Sequence, residues 1–218
     1  MQILVIAPHP DDEVIGCGGT ILKSLACGDQ VFLCVVTTAC PPEWDEKTIK
    51  IKKKERVKAS KLLGIKKPFF LDLPTTKLDT IPQNELNKKI SACVNKVNPD
   101  IVFTSYWGDA HSDHQAVFNA TVIATRPFDS PVKKVLCYEI PSTTDLTPDR
   151  KKIFSPNVFV DISKFLEKKL KIMKVYKTEL RKYPHPRSIK ALRMHAKKRG
   201  TQIGVNAAEA FVLVREMR

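Results

Sequence analysis

The sequence contains no long apolar run, which argues against a membrane-spanning or secreted protein. No window reaches the roughly 18 uninterrupted apolar residues of a transmembrane helix. The first apolar run, Ile3 to Ala7, is too short for the core of a secretory signal peptide, and no basic leader precedes it. We therefore expect a cytoplasmic protein.

Paired cysteine motifs, internal repeats and low-complexity segments are also missing. The six cysteines form no C-x-x-C pair, and four of them lie inside apolar segments, which is typical of reduced, buried thiols. With 43% hydrophobic and 28% charged residues, the composition is that of an ordinary globular protein. Because no stretch has the composition of a linker, we predict a single domain over residues 1–218.

Positive charge is in excess and is unevenly distributed. The chain has 37 basic and 23 acidic residues, a net charge of +14. Between Lys164 and Arg199, fourteen Lys and Arg residues face only Glu167 and Glu179, so +12 of the charge lies in this segment. Such a charge favours anionic partners. The alternative is a solvated helix face, because the lysines interleave with apolar residues at helical spacing.

Short apolar runs alternate with amphipathic stretches along the chain. The runs predict strands near residues 2–7, 31–36, 69–71, 101–103, 135–140, 158–160 and 211–214. The predicted helices lie just after Gly18-Gly19 and at 46–63, 85–97, 113–124, 164–181 and 189–198. This alternation predicts an α/β fold, Rossmann-like and doubly wound, with a mostly parallel sheet and helices on both faces. Ligands of such sheets bind outside the carboxyl ends of the strands.

A histidine and three carboxylates follow the first predicted strand, in the segment Pro8-His9-Pro10-Asp11-Asp12-Glu13. Carboxylates in so apolar a neighbourhood need a partner, a metal or an open cleft. If the chain turns into a helix here, His9 and Asp12 point to one side and can bind one Zn²⁺. Asp11 then faces elsewhere, as a general base does. The alternative is that a carboxylate caps the next helix while His9 packs.

A second cluster follows the fourth predicted strand, in the segment Asp109-Ala110-His111-Ser112-Asp113-His114. His114 can complete a ligand set of two His and one Asp, which leaves a fourth position for water, as in catalytic zinc sites. His111 would then be an imidazole beside the metal that stabilises an oxyanion or protonates a leaving amine. Asp113 is placed to orient that ring. The alternative is a helix cap at Asp113 with exposed histidines.

These two clusters resemble the signature motifs of the LmbE-like (PIG-L) deacetylases. Members of that family are zinc-dependent amidases that remove an N-acetyl group, mostly from N-acetylglucosamine linked to lipid, inositol, malate or other aglycones. The resemblance implies zinc on His9, Asp12 and His114, a base at Asp11 and a catalytic imidazole at His111. It extends over nearly the whole chain and includes Glu55, Leu62 to Gly64, Tyr138 to Ser142, His185 to Ser188, Arg199-Gly200 and Ala208 to Phe211.

The resemblance is looser at positions that would contact the substrate. Many family members carry Arg just before the Glu equivalent to Glu55, where this chain has a lysine run that includes Lys54, and some carry Tyr where Asp109 stands. The resemblance places Arg187 near the active-site rim, where a guanidinium can bind a carboxylate or phosphate. We therefore expect Lys54, Asp109 and Arg187 to bind substrate. The alternative for His185 to Ser188 is a turn before a helix.

The predicted reaction is removal of an N-acetyl group from an N-acetylglucosamine-type sugar conjugate. A zinc water loses its proton to Asp11 as it attacks the amide, and His111 holds the oxyanion. Zn²⁺ is the expected cofactor, although two His and one carboxylate also suit Fe²⁺ or another divalent metal. The expected partner is a small, anionic amino-sugar substrate. The sequence leaves open a weak association with a membrane surface and a homo-oligomer.

Two other functions fit parts of the sequence. One is a zinc-dependent amidase or esterase that acts on a different acylated small molecule. The other is a basic binding module for nucleic acid or an acidic membrane surface, suggested by the charge between Lys164 and Arg199. Because this segment lacks an aromatic platform interleaved with the charges on which bases could stack, we expect no specific nucleic-acid partner.

Overall fold

A computed structural model describes all 218 residues, which form one seven-stranded sheet with helices on both faces. The strands are β1 (Gln2–Ala7), β2 (Gln30–Thr38), β3 (Phe69–Pro74), β4 (Ile101–Ser105), β5 (Lys134–Tyr138), β6 (Val158–Asp161) and β7 (Ala208–Glu216). The helices are α1 (Asp12–Ala26), α2 (Glu46–Leu63), α3 (Gln83–Val97), α4 (Ser112–Ala124), the short α5 (Pro141–Thr144), α6 (Leu166–Met173) and α7 (Ile189–Thr201).

The strand order is β3-β2-β1-β4-β5-β7-β6. The first five strands are parallel, and β7 runs antiparallel to both β5 and β6. One core of 28 buried residues lies under α1, α2, α6 and α7, and a second core of 16 lies under α3 and α4. The predicted doubly wound, mostly parallel α/β fold is confirmed.

The strand order reverses direction at β1, which has β2 on one side and β4 on the other. At such a switch point the loops that leave neighbouring strands separate and open a crevice. The turn after β1 is fixed from the β2 side, because the Thr37 backbone N–H and hydroxyl both donate to the carbonyl of Pro8, at 2.9 and 2.8 Å. The loops after β1 and β4, which carry the two histidine-containing clusters, therefore meet at this crevice.

Two predicted helix boundaries are wrong. Helix α1 begins at Asp12 and runs through the glycines that were expected to precede it. This part of the helix needs small residues because α1 packs closely against its neighbours: a Cβ on Gly19 would lie 2.7 Å from Ile162, which follows β6. Helix α6 ends at Met173 instead of Arg181. The chain leaves the helix there and places Tyr176 and Thr178 against a cavity.

A buried ion pair accounts for one lysine of the basic segment. The Lys169 ammonium lies 2.6 Å from Glu209 and donates to the carbonyl of Ile15, while Glu209 accepts the backbone N–H groups of Gly19 and Thr20. Both charges are therefore satisfied by each other and by the middle turn of α1. This pair joins α6 and β7 to the helix that carries the first cluster.

None of the seven helices combines the length and the apolar character that crossing a membrane would require.

The approach of α1 to the sheet is tightest at Gly16, and we expect Gly16→Ala to be strongly destabilising. A Cβ at this position would lie 2.3 Å from Cδ2 of Tyr138. The tyrosine ring is fully buried, and its hydroxyl donates to the carbonyl of Ile6, so the ring cannot move away freely. The expected loss in the free energy of unfolding is about 1–3 kcal/mol, measured by urea denaturation.

Gly18→Ala is the matched control for this prediction, because it lies on the same helix two residues away. A Cβ there would approach the Lys169 side chain to 3.2 Å, and Ala also has the higher helix propensity. We expect a clearly smaller change in stability. Equal losses in the two variants would show that the contact with Tyr138 is not the cause.

Candidate active site

Three side-chain atoms from the two clusters converge at the crevice. The Nδ1 of His9 lies 3.1 Å from Nε2 of His114 and 3.2 Å from Oδ2 of Asp12, and the last two atoms are 3.3 Å apart. Four ligands placed tetrahedrally around Zn²⁺ at its usual bond lengths are separated by about 3.3–3.5 Å. The three atoms therefore have the spacing of metal ligands.

The chemistry of the donor set also fits a divalent cation. Asp11, Asp12, Asp109 and Asp113 are all buried within this small region. Oδ1 of Asp12 and Oδ2 of Asp11 have no hydrogen-bond partner, and for the buried Asp12 oxygen this is costly without a cation nearby.

The ligand atoms are strongly coupled to one another by charge. Burial opposes ionisation of Asp12, but His114 and His9 hold its pKa well below the ordinary value. Burial also disfavours the charged form of His114, yet Asp12 and Asp109 outweigh it and raise the pKa of His114 to about 10. A site that attracts a proton this strongly has the negative field that a divalent cation needs.

Each candidate imidazole ligand meets a further carboxylate at its other ring nitrogen. Nε2 of His9 lies 2.9 Å from Oδ2 of Asp113, and Nδ1 of His114 lies 3.1 Å from Oδ2 of Asp109. Carboxylates in this position fix the orientation of metal-bound histidines and increase their basicity. The sequence interpretation paired Asp113 with His111, whereas the structure places the Asp113 carboxylate against His9.

Asp109 does not line the cavity, contrary to the substrate-binding role expected for it. Its Oδ2 accepts hydrogen bonds from the hydroxyls of Thr143 and Thr144, at 2.9 and 2.6 Å, and its Oδ1 accepts the backbone N–H of His111. The carboxylate is buried, and these hydrogen bonds direct it towards the protein interior and His114. The sequence contained no sign of this, because the two threonines follow a different strand.

His111 stands beside the three candidate ligands with one nitrogen free. Its Nδ1 accepts the backbone N–H of Asp113 at 3.1 Å, so Nε2 is the nitrogen left for other contacts. Burial and the positive charges of His9 and His114 lower the pKa of His111 to about 4. The ring is therefore a neutral hydrogen-bond donor through Nε2. His9, His111 and His114 together also form a group that could hold a metal ion.

Asp11 lies at the foot of the cavity in an unusual backbone conformation. Its φ of 110° is in the left-handed region, which costs energy for a residue with a side chain. The carboxylate is 1% exposed, and its Oδ2 lies 3.7 Å from Nη1 of Arg187. Burial raises the pKa of Asp11 well above the ordinary value, and Arg187 opposes that rise. A raised pKa suits a group that must take up a proton near neutral pH.

The conformation of Asp11 is held by Glu13. The buried Glu13 carboxylate accepts the backbone N–H of Asp11 at 3.1 Å and the hydroxyl of Tyr176 at 2.6 Å. We expect Glu13→Ala to lower kcat by about 10–100-fold, since misplacing a reacting group by an ångström has an effect of this size. The KM and the bound metal should change little. Steady-state kinetics and metal analysis measure these quantities.

Glu13→Gln is the control, because its amide oxygen can still accept the N–H of Asp11. This variant should recover most of the lost kcat. If the Ala and Gln variants were equally impaired, the hydrogen bond to the Asp11 backbone would not be what matters.

A cavity of about 430 Å³ opens above these residues, a size that suits a sugar. Its lining is mostly polar and includes charged residues that the sequence did not single out as site residues. The lining residues are His9, Pro10, Asp11, Thr38, Ala39, Trp44, Thr48, Lys52, Glu55, Arg56, Thr75, Thr76, His111, Tyr176, Thr178, Glu179, Arg181 and Arg187.

Of the predicted substrate-binding residues Arg187 and Lys54, only Arg187 lies at the cavity. Arg187 does line the cavity, with Nη1 3.0 Å from Oε2 of Glu179 and Nε 3.2 Å from the hydroxyl of Ser142. Lys54 is exposed and does not line the cavity. Within the same helix, Lys52 and Arg56 face the cavity instead, because residues four apart share a face of an α-helix.

Ser188 and Arg199, which belong to two of the motifs in the resemblance, make contacts that stabilise the fold. The hydroxyl of Ser188 accepts the N–H of Ala191 and caps α7. Arg199 forms a bidentate pair with the buried Glu139, at 2.7 and 2.6 Å, away from the cavity.

Comparison with known proteins agrees with the fold and identifies the family. The family model of PIG-L, described as GlcNAc-PI de-N-acetylase, matches residues 4–125. The uncharacterized deacetylase YaiS of Escherichia coli K12 is 30% identical over 185 residues, which cover 81% of this chain and 90% of that protein. The chain therefore belongs to the PIG-L family, and it is an enzyme of the deacetylase class.

Two further relatives have more specific names. A probable N-acetyl-alpha-D-glucosaminyl L-malate deacetylase 2 of Bacillus anthracis is 27% identical, over 82% of this chain and 81% of that protein. The structure of N,N'-diacetylchitobiose deacetylase from Pyrococcus horikoshii superposes with a TM-score of 0.77 and 26% identity, covering 98% of this chain and 84% of that one.

Proposed function

We propose that this enzyme uses a divalent metal to hydrolyse the acetamide of an N-acetylglucosamine-type sugar conjugate, releasing acetate and a free amine. The observation that carries the proposal is the triangle formed by His9, Asp12 and His114, with the unpartnered Asp11 oxygen next to it at the foot of a polar cavity. The names of two relatives support this class of substrate. One is a probable N-acetyl-alpha-D-glucosaminyl L-malate deacetylase, and the other is an N,N'-diacetylchitobiose deacetylase.

His9, Asp12 and His114 would hold the metal, and Zn²⁺ or Fe²⁺ suits this donor set. When bound, the metal supplies a Lewis acid for the carbonyl oxygen and makes water more acidic. We choose Asp12 as the third ligand in preference to His111, because Asp12 completes the triangle of 3.1–3.3 Å distances. His111 instead lines the cavity and has its Nε2 available for a hydrogen bond to the substrate.

Asp11 is the base in this proposal. As water attacks the acetamide carbon, the Asp11 carboxylate takes one of its protons, and the new C–O bond places negative charge on the former carbonyl oxygen. Arg187 helps to keep Asp11 ionised before this step, since it opposes the effect of burial on the pKa.

His111 stabilises the charge that develops on the carbonyl oxygen. As a neutral imidazole with its proton on Nε2, it donates a hydrogen bond without a net charge of its own. The C–N bond then breaks, and the amine leaves with the proton that Asp11 took from the water, which returns Asp11 to its carboxylate form. His111 keeps its single proton on Nε2 throughout.

The proposal is tested by metal analysis of the purified protein together with an assay for free amine. The panel contains N-acetylglucosamine, diacetylchitobiose, N-acetylglucosaminyl malate and UDP-N-acetylglucosamine. We expect one divalent ion per chain and release of acetate in equal amounts with the amine. Metal-loaded protein that releases acetate from none of these sugars but cleaves other amides or esters would support the alternative hydrolase.

A further inference from the structure

A basic groove lies beside the cavity, between α2 and the end of α6. Its volume is about 320 Å³, and Ile51, Glu55 and Val175 form the rest of its lining. Five lysines line this basic groove: Lys54, Lys58, Lys171, Lys174 and Lys177. Lys54, predicted to bind substrate, thus lies in this groove instead of the cavity.

The five ammonium groups are exposed and have no acidic partners of their own. The acidic side chains of the surrounding elements are engaged elsewhere. Glu55 accepts the N–H and hydroxyl of Thr178, Glu179 pairs with Lys52 and Arg187, and Glu167 pairs with Arg193. Five like charges in one concave groove repel one another and outnumber the single Glu55 carboxylate in its lining, so the groove has a positive potential.

The groove adjoins the active-site cavity. Glu55 lines both of them, and Lys177 is followed in the chain by Thr178, which lines the cavity. A substrate whose acetamido sugar occupies the cavity and whose other end passes Glu55 would enter the groove. The groove is therefore placed to receive the part of the substrate that lies beyond the sugar.

We propose that this groove is a second binding site, which takes phosphate groups on the aglycone of the substrate. The inference rests on the proposed function and specifies its substrate class. Lysine binds phosphate as a compact point charge, so a groove lined by several lysines suits an aglycone that bears phosphate. A nucleoside diphosphate and a phospholipid headgroup would both supply this chemistry.

The kinetic test uses the triple variant Lys58→Gln, Lys171→Gln, Lys174→Gln. We expect its kcat/KM for a phosphate-bearing N-acetyl sugar, relative to that for diacetylchitobiose, to fall roughly tenfold compared with the wild type. The matched control removes three other exposed lysines, Lys66, Lys88 and Lys89. The control should keep the wild-type ratio, and the same fall in both variants would overturn the proposal.

A binding test separates this inference from the proposed function. Inorganic tripolyphosphate, titrated calorimetrically into the full-length protein, should bind the wild type and the control alike and the triple variant roughly tenfold more weakly. The difference should shrink as salt is added. Equal affinity for all three proteins would overturn the second site. Failure of the wild type to deacetylate any sugar would reject the proposed function instead.

Two further arms distinguish the sources of phosphate. UDP is titrated in one, and vesicles of phosphatidylcholine with phosphatidylinositol are used in the other. The arm in which affinity depends on Lys58, Lys171 and Lys174 identifies the source. Dependence on these lysines in neither arm would overturn the proposal.

Discussion

Asp11→Asn should lower kcat by about 10²–10⁴-fold while the protein keeps its metal, its KM and its fold. The range is that of a lost general base. The amide has nearly the same shape as the carboxylate but cannot take a proton from the attacking water. Asn also tolerates a positive φ better than most residues, so the backbone at 110° should persist.

The measurement is kcat for acetate release at saturating substrate, with metal content determined on the same samples. Glu43→Gln is the control, because it removes an exposed carboxylate that pairs only with Lys77. It should have wild-type kcat. If Asp11→Asn remained within tenfold of the wild type, Asp11 would not be the base.

Removing the metal should abolish turnover, and substitutions of the residues that bind or orient the metal ligands should lower metal affinity to different degrees. Chelation of the wild type is expected to lower activity at least about 10³-fold, and added Zn²⁺ or Fe²⁺ should restore it. Asp113→Asn, which weakens the contact to Nε2 of His9, should reduce metal affinity by about 10–100-fold without eliminating it. His114→Ala should lose both the metal and the activity.

Titration with a competing chromophoric chelator measures these affinities, and metal-dependent shifts in melting temperature provide a second reading. Asp79→Asn is the control, since this exposed carboxylate lies close to Leu78 but away from the three ligands. Its affinity should equal that of the wild type. Full activity of a metal-free wild-type protein would refute the role given to the triangle.

The convergence of His9, Asp12 and His114 could be predicted from the sequence, because parallel strands bring their carboxyl ends to one edge. The partners of the imidazoles could not be predicted. The Asp113 carboxylate contacts His9, while only the Asp113 backbone N–H reaches His111, and this depends on side-chain directions across two loops rather than on spacing.

The residues that line the cavity could not be predicted from the sequence either. The run of lysines in α2 gives no indication of which face of the helix is buried. The buried face carries Glu55 and Arg56, while Ile51 and Leu62 are exposed. Apolar periodicity therefore indicated the helix but not its orientation. The cavity wall around Tyr176 comes from an irregular segment that was predicted as helix.

The further hydrogen bonds of the Asp113 carboxylate limit how the substrate specificity of this enzyme can be changed. Besides holding His9, this carboxylate receives the backbone N–H groups of Thr76 and Leu78, at 2.6 and 3.1 Å. Thr75 and Thr76 belong to the rim that a sugar would meet. Substitutions in that rim that are meant to admit a new substrate would therefore also shift Asp113 and, through it, the metal ligand His9. Substrate specificity and metal affinity will have to be optimised together.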